Sequence, residues 1–159
     1  MFLVKLFATL GSGLIAGVFF AFSTFVMQAL AQRPPAQGIA AMQSINITVI
    51  NPLFMTVFLG TSAACVFLLV FSLLKWHQPG AIYLLIGSLL YLVGTFGTTI
   101  VFNVPLNDAL ASVEPESQIG ASLWASYLTK WTFWNHVRTV AALMTTALLI
   151  IALREESKI

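Results

Sequence analysis

Charge is what this sequence has least of. Lys, Arg, Asp and Glu together supply 8% of its 159 residues, against about 25% in a soluble domain. That shortage excludes an ordinary soluble fold. Seven basic residues against five acidic ones leave no basic face for DNA or RNA, so no nucleic-acid partner is expected. Cysteine is nearly absent too. Cys65 stands alone inside an apolar run, which rules out an intrachain disulfide. There is no glycine-rich nucleotide fingerprint, no Walker loop and no Ser/His/Asp set at workable spacing. The two histidines, His77 and His136, fall on opposite sides of the membrane in the topology derived below. Zinc or bis-histidine haem ligation is therefore not expected. No metal and no tightly bound cofactor are expected.

What the chain has in abundance is hydrocarbon. It is 59% hydrophobic, with a mean hydropathy of +0.96. Four apolar runs, 6–31, 53–74, 81–102 and 131–153, each reach the roughly 20 residues needed to cross a hydrocarbon core about 30 Å thick. The first run exceeds the 7–15 residues or so of a signal-peptide core, so it is expected to be a retained helix. The expected fold is all-α: a single domain, 1–159, forming a four-transmembrane-helix bundle with a long, partly extramembrane fourth helix.

An even number of spans places both termini on the side of the short 75–80 connection. Lys5, Lys75, Arg154 and Lys158 lie on that side; Arg33 and Lys130 lie on the other, with Asp108, Glu114 and Glu116. The positive-inside bias makes the termini cytoplasmic.

Between the runs, "QRPPAQG" breaks the chain, and 39–50 reads as a short amphipathic helix ending before Asn51-Pro52. Asn followed by Pro is a good N-cap and N1 pair, which sets a capping role for Asn51 against a ligand contact. Further breaks are expected at "NVPLN" and "EPES", with uninterrupted helix from about residue 118 to 153. Trp124, Tyr127, Trp131 and Trp134 recur on that helix at 3/4 spacing and share a face. Interfacial anchoring and packing account for such a stripe as well as ligand contact does. Gly13 and Gly17, and Gly80, Gly87 and Gly94 at seven-residue intervals, mark faces where helices approach closely.

The polar side chains are distributed unevenly. At about 1.5 Å per residue, Arg138 lies about 24 Å from the inner edge, inside the bilayer and short of the outer interface. Asn135 and His136 lie slightly further out. Gln28, Asn46, Asn51, Asn103, Asn107 and Asp108 also fall at the outer ends of their helices, whereas the inner halves carry no Asn, Gln or charge. A charge at that depth costs roughly 2.5–3.5 kcal/mol on insertion scales and needs a cavity or a partner. Arg138 is open to three readings: snorkelling to headgroups, a salt bridge to Asp108, or a ligand role. At about 100° per residue, Trp131, Trp134, Asn135 and Arg138 share one face while His136 points away from Arg138. His136 therefore reads more naturally as a packed or interfacial residue.

These residues carry a resemblance. "NVPLNDAL" after the third run and "WTFWNHVRT" opening the fourth resemble the anthrone-oxygenase-like family of small four-helix membrane proteins, and "GSGLIAGVFFAFSTFVMQAL" and "MQSINITVINPLF" fit the same pattern. The matching positions are Asn103, Pro105 and Asn107, then Trp131, Trp134, Asn135, Arg138 and Thr139. The resemblance implies an oxygenase that converts an anthrone or related phenol to a quinone with O2 and no cofactor. Arg138, Asn135, Asn103 and Asn107 are then the expected catalytic residues, stabilising an oxyanion. Trp131, Trp134, Asp108 and His136 are expected to bind substrate, with Asp108 or His136 available as base. The implied partners are a hydrophobic aromatic molecule, O2 and the lipid bilayer. The competing expectation is a non-enzymatic membrane protein whose polar cluster is a clasp or a site for quinone, lipid or another protein.

Overall fold

A computed structural model describes residues 1–156; Lys158, counted above in the charge bias, lies outside the described residues. Five helices account for the fold. Four are long and apolar enough to cross a membrane: α1 (Phe2–Ala31), α3 (Pro52–Leu74), α4 (Ala81–Ala111) and α5 (Gln118–Glu156). The short α2 (Pro35–Thr48) lies between the first two. The chain is thus a multi-pass membrane protein. The four long helices form a ring in which α1 packs on α3 and α5, and α4 packs on the same two. Large apolar side chains such as Leu14, Leu53, Leu74 and Val140 remain more than half exposed. Lipid, not water, suits such a surface.

Local chemistry sets the helix ends. Asn51 Oδ1 accepts the Phe54 backbone N–H at 3.0 Å, and Pro52 opens α3 at the position that needs no donor. Capping is the role Asn51 plays. Ser117 starts α5 in the same way, its Oγ accepting from Gly120 N–H at 2.9 Å. The 75–80 turn closes at Gly80, whose φ of 82° is the left-handed conformation that glycine adopts without penalty. The 39 residues of α5 extend about 58 Å, far beyond the thickness of a hydrocarbon core. The fourth helix projects from the membrane, as expected.

Two expectations need correction. The first is the break at "NVPLN", because α4 runs through Pro105 to Ala111 without interruption. A π-helical turn, Thr99–Asn103, ends two residues before the proline and follows another at Leu90–Gly97. Wider π winding moves the carbonyls that a proline ring would strike in α geometry, so the helix continues. The second is the role of the Gly13/Gly17 pair. A Cβ at Gly17 would meet nothing, and one at Gly13 would make only ordinary contact with Thr146. On α1 close approach occurs at Gly11 instead, where a Cβ would run into Thr61 Oγ1 of α3; on α4 it occurs at Gly94, as expected, where a Cβ would stand 2.6 Å from Ala141 Cβ of α5. Accordingly, Gly11→Ala is expected to lower the thermal midpoint in detergent. Gly17→Ala, exposed and mid-helix, should raise stability by about 0.5–1 kcal/mol through helix propensity.

The outer end of the bundle is assembled differently from the inner end. There α2 lies across α1, the Val104–Ala111 end of α4, and α5. The apolar layer beneath it joins Met27, Ile39, Met42, Leu110, Trp124, Tyr127 and Trp131. By contrast, α3 packs against α1 and the Ala81–Gly97 half of α4, then parts from the Thr99–Ala111 half. That divergence opens a cavity.

Candidate functional site

The cavity has a volume of about 360 Å³ and receives residues from all five helices, within the usual range of small-molecule pockets, about 300–1,000 Å³. Its walls are chiefly aromatic and aliphatic, with Phe19, Phe22, Phe54, Phe58 and Phe96 as the largest panels. Four residues with a polar side-chain function other than an indole reach it: Asn46, Thr99, Asn107 and Arg138. None of the lining residues is a carboxylate or a histidine.

Arg138 is 4% exposed although it carries the only guanidinium in the middle of α5. Its Nη2 donates to Asn135 Oδ1 at 2.8 Å and its Nη1 to Thr99 Oγ1 at 3.3 Å. Its Cζ lies 4.1 Å from the centre of the Phe19 ring and 5.1 Å from that of Trp131. Ring quadrupoles partly replace the hydration lost on burial. Among the described residues Nε has no hydrogen-bond partner, and none of the groups the guanidinium meets is a carboxylate. Neither the snorkelling reading nor the Asp108 salt bridge describes this arrangement.

Asn135 holds the guanidinium from behind. It is fully buried, and its Nδ2 donates to Phe19 O and to Ser23 Oγ, both at 2.8 Å. Ser23 in turn shares a 3.0 Å hydrogen bond with Thr139, whose hydroxyl returns to Asn135 O at 2.8 Å. Ser23 belongs to a π-helical turn of α1, Phe22–Val26. Wide turns at the level of the cavity therefore occur in both α1 and α4, a placement typical of π segments near functional sites.

Asn107 carries the second network. Its Oδ1 accepts from Tyr127 Oη and from Trp131 Nε1, each at 2.8 Å. Asn103 lies deeper and to one side. Its Nδ2 donates to Trp131 O at 3.2 Å, and its Oδ1 has no partner.

The site residues expected from sequence thus separate into groups. Arg138, Asn107 and Trp131 line the cavity. Asn135 and Asn103 are buried behind that wall and position its members. Three of the expected residues do not line the cavity. Trp134 stacks on Phe102 with ring centres 3.6 Å apart and planes 5° from parallel, and Phe102 is 37% exposed. That pair faces outward. Asp108 and His136 are both exposed. Helical geometry explains two of the three: His136 projects away from the arc shared by Trp131, Asn135 and Arg138, and Asp108 is one step round from Asn107; Trp134 leaves the arc because its ring stacks on Phe102. Asp108→Ala and His136→Ala are expected to leave ligand affinity within twofold of wild type, measured by quenching of intrinsic fluorescence.

Sequence reasoning missed Thr99 and the five phenylalanines. A threonine among apolar neighbours, and Phe in a chain with 13 of them, give no periodic signal that separates a cavity wall from ordinary packing.

Fold and site together define a small four-helix membrane protein with an apolar internal pocket in which an arginine is buried without a countercharge. The anthrone oxygenase family model matches residues 54–148. This chain belongs to that family. Comparison with curated proteins and with solved structures gives no match.

Proposed function

We propose that the protein oxidises a membrane-soluble anthrone or related phenol with O2, in a cavity that holds the substrate oxygen against Arg138. The supporting observation is a buried guanidinium, unpaired with any carboxylate, in the wall of an otherwise aromatic pocket. An anthrone that loses a proton from its methylene becomes an anthranolate whose charge rests on the ring oxygen. A preorganised cation at that oxygen lowers the free energy of the anion, and does so most effectively where water is excluded. The released proton goes to water at the interface, since neither Asp108 nor His136 faces the cavity. The electron-rich carbon then adds O2 to form a peroxide anion, which recovers a proton. Loss of water from the hydroperoxide leaves the second quinone carbonyl. One O2 is consumed, one water is released and no external reductant is required. Lysine and arginine placement supports an orientation with the termini in the cytoplasm, so that the cavity sits in the opposite leaflet.

Purified protein in detergent is expected to accelerate oxygen uptake with emodin anthrone. With 18O2 the quinone product should gain one labelled oxygen. Uptake no faster than in buffer across a panel of anthrones and hydroquinones would remove the oxygenase reading and leave a binding protein for such molecules.

A further inference from the structure

Arg138 accounts for one oxygen of a ligand, yet the cavity has polar groups at a second place. Asn107 and Asn46 reach it at its outer end, from α4 and α2. Thr99, the Arg138 partner, and Asn107 are eight residues apart on α4, roughly 10 Å along the axis once the π winding is allowed for. Between the two positions lies the Trp131 indole, with Arg138 Cζ 5.1 Å from its ring centre and its Nε1–H bonded to Asn107.

The orientation of the Asn107 amide follows from chemistry. An indole N–H can only donate, so the amide atom 2.8 Å from Trp131 Nε1 must be the oxygen. The Tyr127 hydroxyl donates to that same oxygen, also at 2.8 Å. With Oδ1 saturated and fixed by two donors, Nδ2 is left as a rigid donor with no hydrogen bond to any described residue. Asn46 brings a second amide to the cavity from α2. A carboxamide fixed in this way can read a ligand group.

We infer that Asn107 and Asn46 form an outer subsite that recognises a second oxygen on the ligand, a hydroxyl or carbonyl at the ring end remote from Arg138. The preferred ligand class is therefore a flat polyaromatic oxygenated at both ends, rather than one with a single ketone. This rests on the proposed placement of the first oxygen at Arg138. An apolar wall satisfies the rings between the two ends, while an amide left facing plain hydrocarbon would forfeit a hydrogen bond. Discrimination of this kind is large for a site built to bond a polar group.

The test uses two redox-inert tricyclic ketones, fluorenone and 3-hydroxyfluorenone, and the full-length protein in detergent. Binding is followed by quenching of tryptophan fluorescence. Wild type should bind the hydroxylated ketone at least tenfold more tightly. Asn107→Asp keeps both acceptor bonds to Tyr127 and Trp131 but removes the donor; Asn46→Val removes the second amide without touching that pair. Each variant should reduce the preference to below threefold, with fluorenone affinity nearly unchanged. Asn46→Val also serves if the new carboxylate of Asn107→Asp impairs folding. Equal affinity of wild type for the two ketones, or equal losses for both in the variants, would overturn the outer subsite alone. Failure of wild type to bind either ketone would overturn the Arg138 placement as well.

Discussion

Arg138→Met is expected to abolish turnover while raising the thermal midpoint. The two halves of that result come from one cause. Arg138 is buried among Phe19, Trp131, Asn135 and Thr99 with no carboxylate beside it. Holding an uncompensated charge there is unfavourable, and replacing buried charges by apolar groups of similar volume often stabilises by about 1–4 kcal/mol. Methionine fills the space and leaves one amide oxygen, Asn135 Oδ1, without its donor, a loss of about 1 kcal/mol. On those figures the balance lies between about zero and about 3 kcal/mol in favour of the variant. In the proposed reaction catalysis moves the other way, because a cation at the developing oxyanion is worth at least a hundredfold in rate. Arg138→Lys keeps charge without the fork that bonds Asn135 and Thr99 together, so it should retain only a small part of the activity. Oxygen uptake and thermal melts on the same preparations read both effects. A methionine variant melting several degrees below wild type would show that the guanidinium is a clasp.

The second large effect is expected at Gly94, which touches no ligand. A Cβ there would stand 2.6 Å from Ala141 Cβ, whereas unbonded carbons settle at about 3.5–4.0 Å. Gly94→Leu must therefore push α4 from α5 by about 1 Å or more, at a cost of about 1–3 kcal/mol. The separation falls beside Thr95, which donates to Arg138 O at 3.4 Å, and one turn from Thr99. Displacement of that order in a catalytic group can cost about a hundredfold, so activity should fall by at least tenfold even in the protein that remains folded. Gly94→Ala combined with Ala141→Gly exchanges which helix carries the methyl group. The pair should recover most of the stability and activity lost by Gly94→Ala alone, and a failure to recover would show that the close approach is not the cause.

The architecture was legible in the sequence because hydrocarbon thickness sets span length, and few residues interrupt the runs. The collection of Asn and Arg side chains at one end was legible for the same reason: depth follows from counting along a helix. Direction around the axis was legible only in part. Counting at about 100° per residue correctly turned His136 away from Arg138, yet it also put Trp134 with Trp131. Trp134 departs from that arc because its ring finds Phe102, and side-chain choice of this kind depends on a neighbour from another helix. The cavity itself had no sequence signature. It arises where α3 parts from the outer half of α4, a packing event that composition does not encode. Pro105 misled for a related reason, since a proline stops an α-helix but not one already wound more widely.

That wider winding has a consequence for how the helix could be shortened. A π turn houses more residues than an α turn over the same rise, so α4 carries slack at Leu90–Gly97 and Thr99–Asn103. Deleting one residue there would tighten the coil to ordinary α winding, so the loss is absorbed within the turn: Asn107 keeps its face, and Leu84 and Gly87 keep their seats. The wide turns act as a shim, from which one codon can be removed without turning the Asn107 end of the helix away from the pocket.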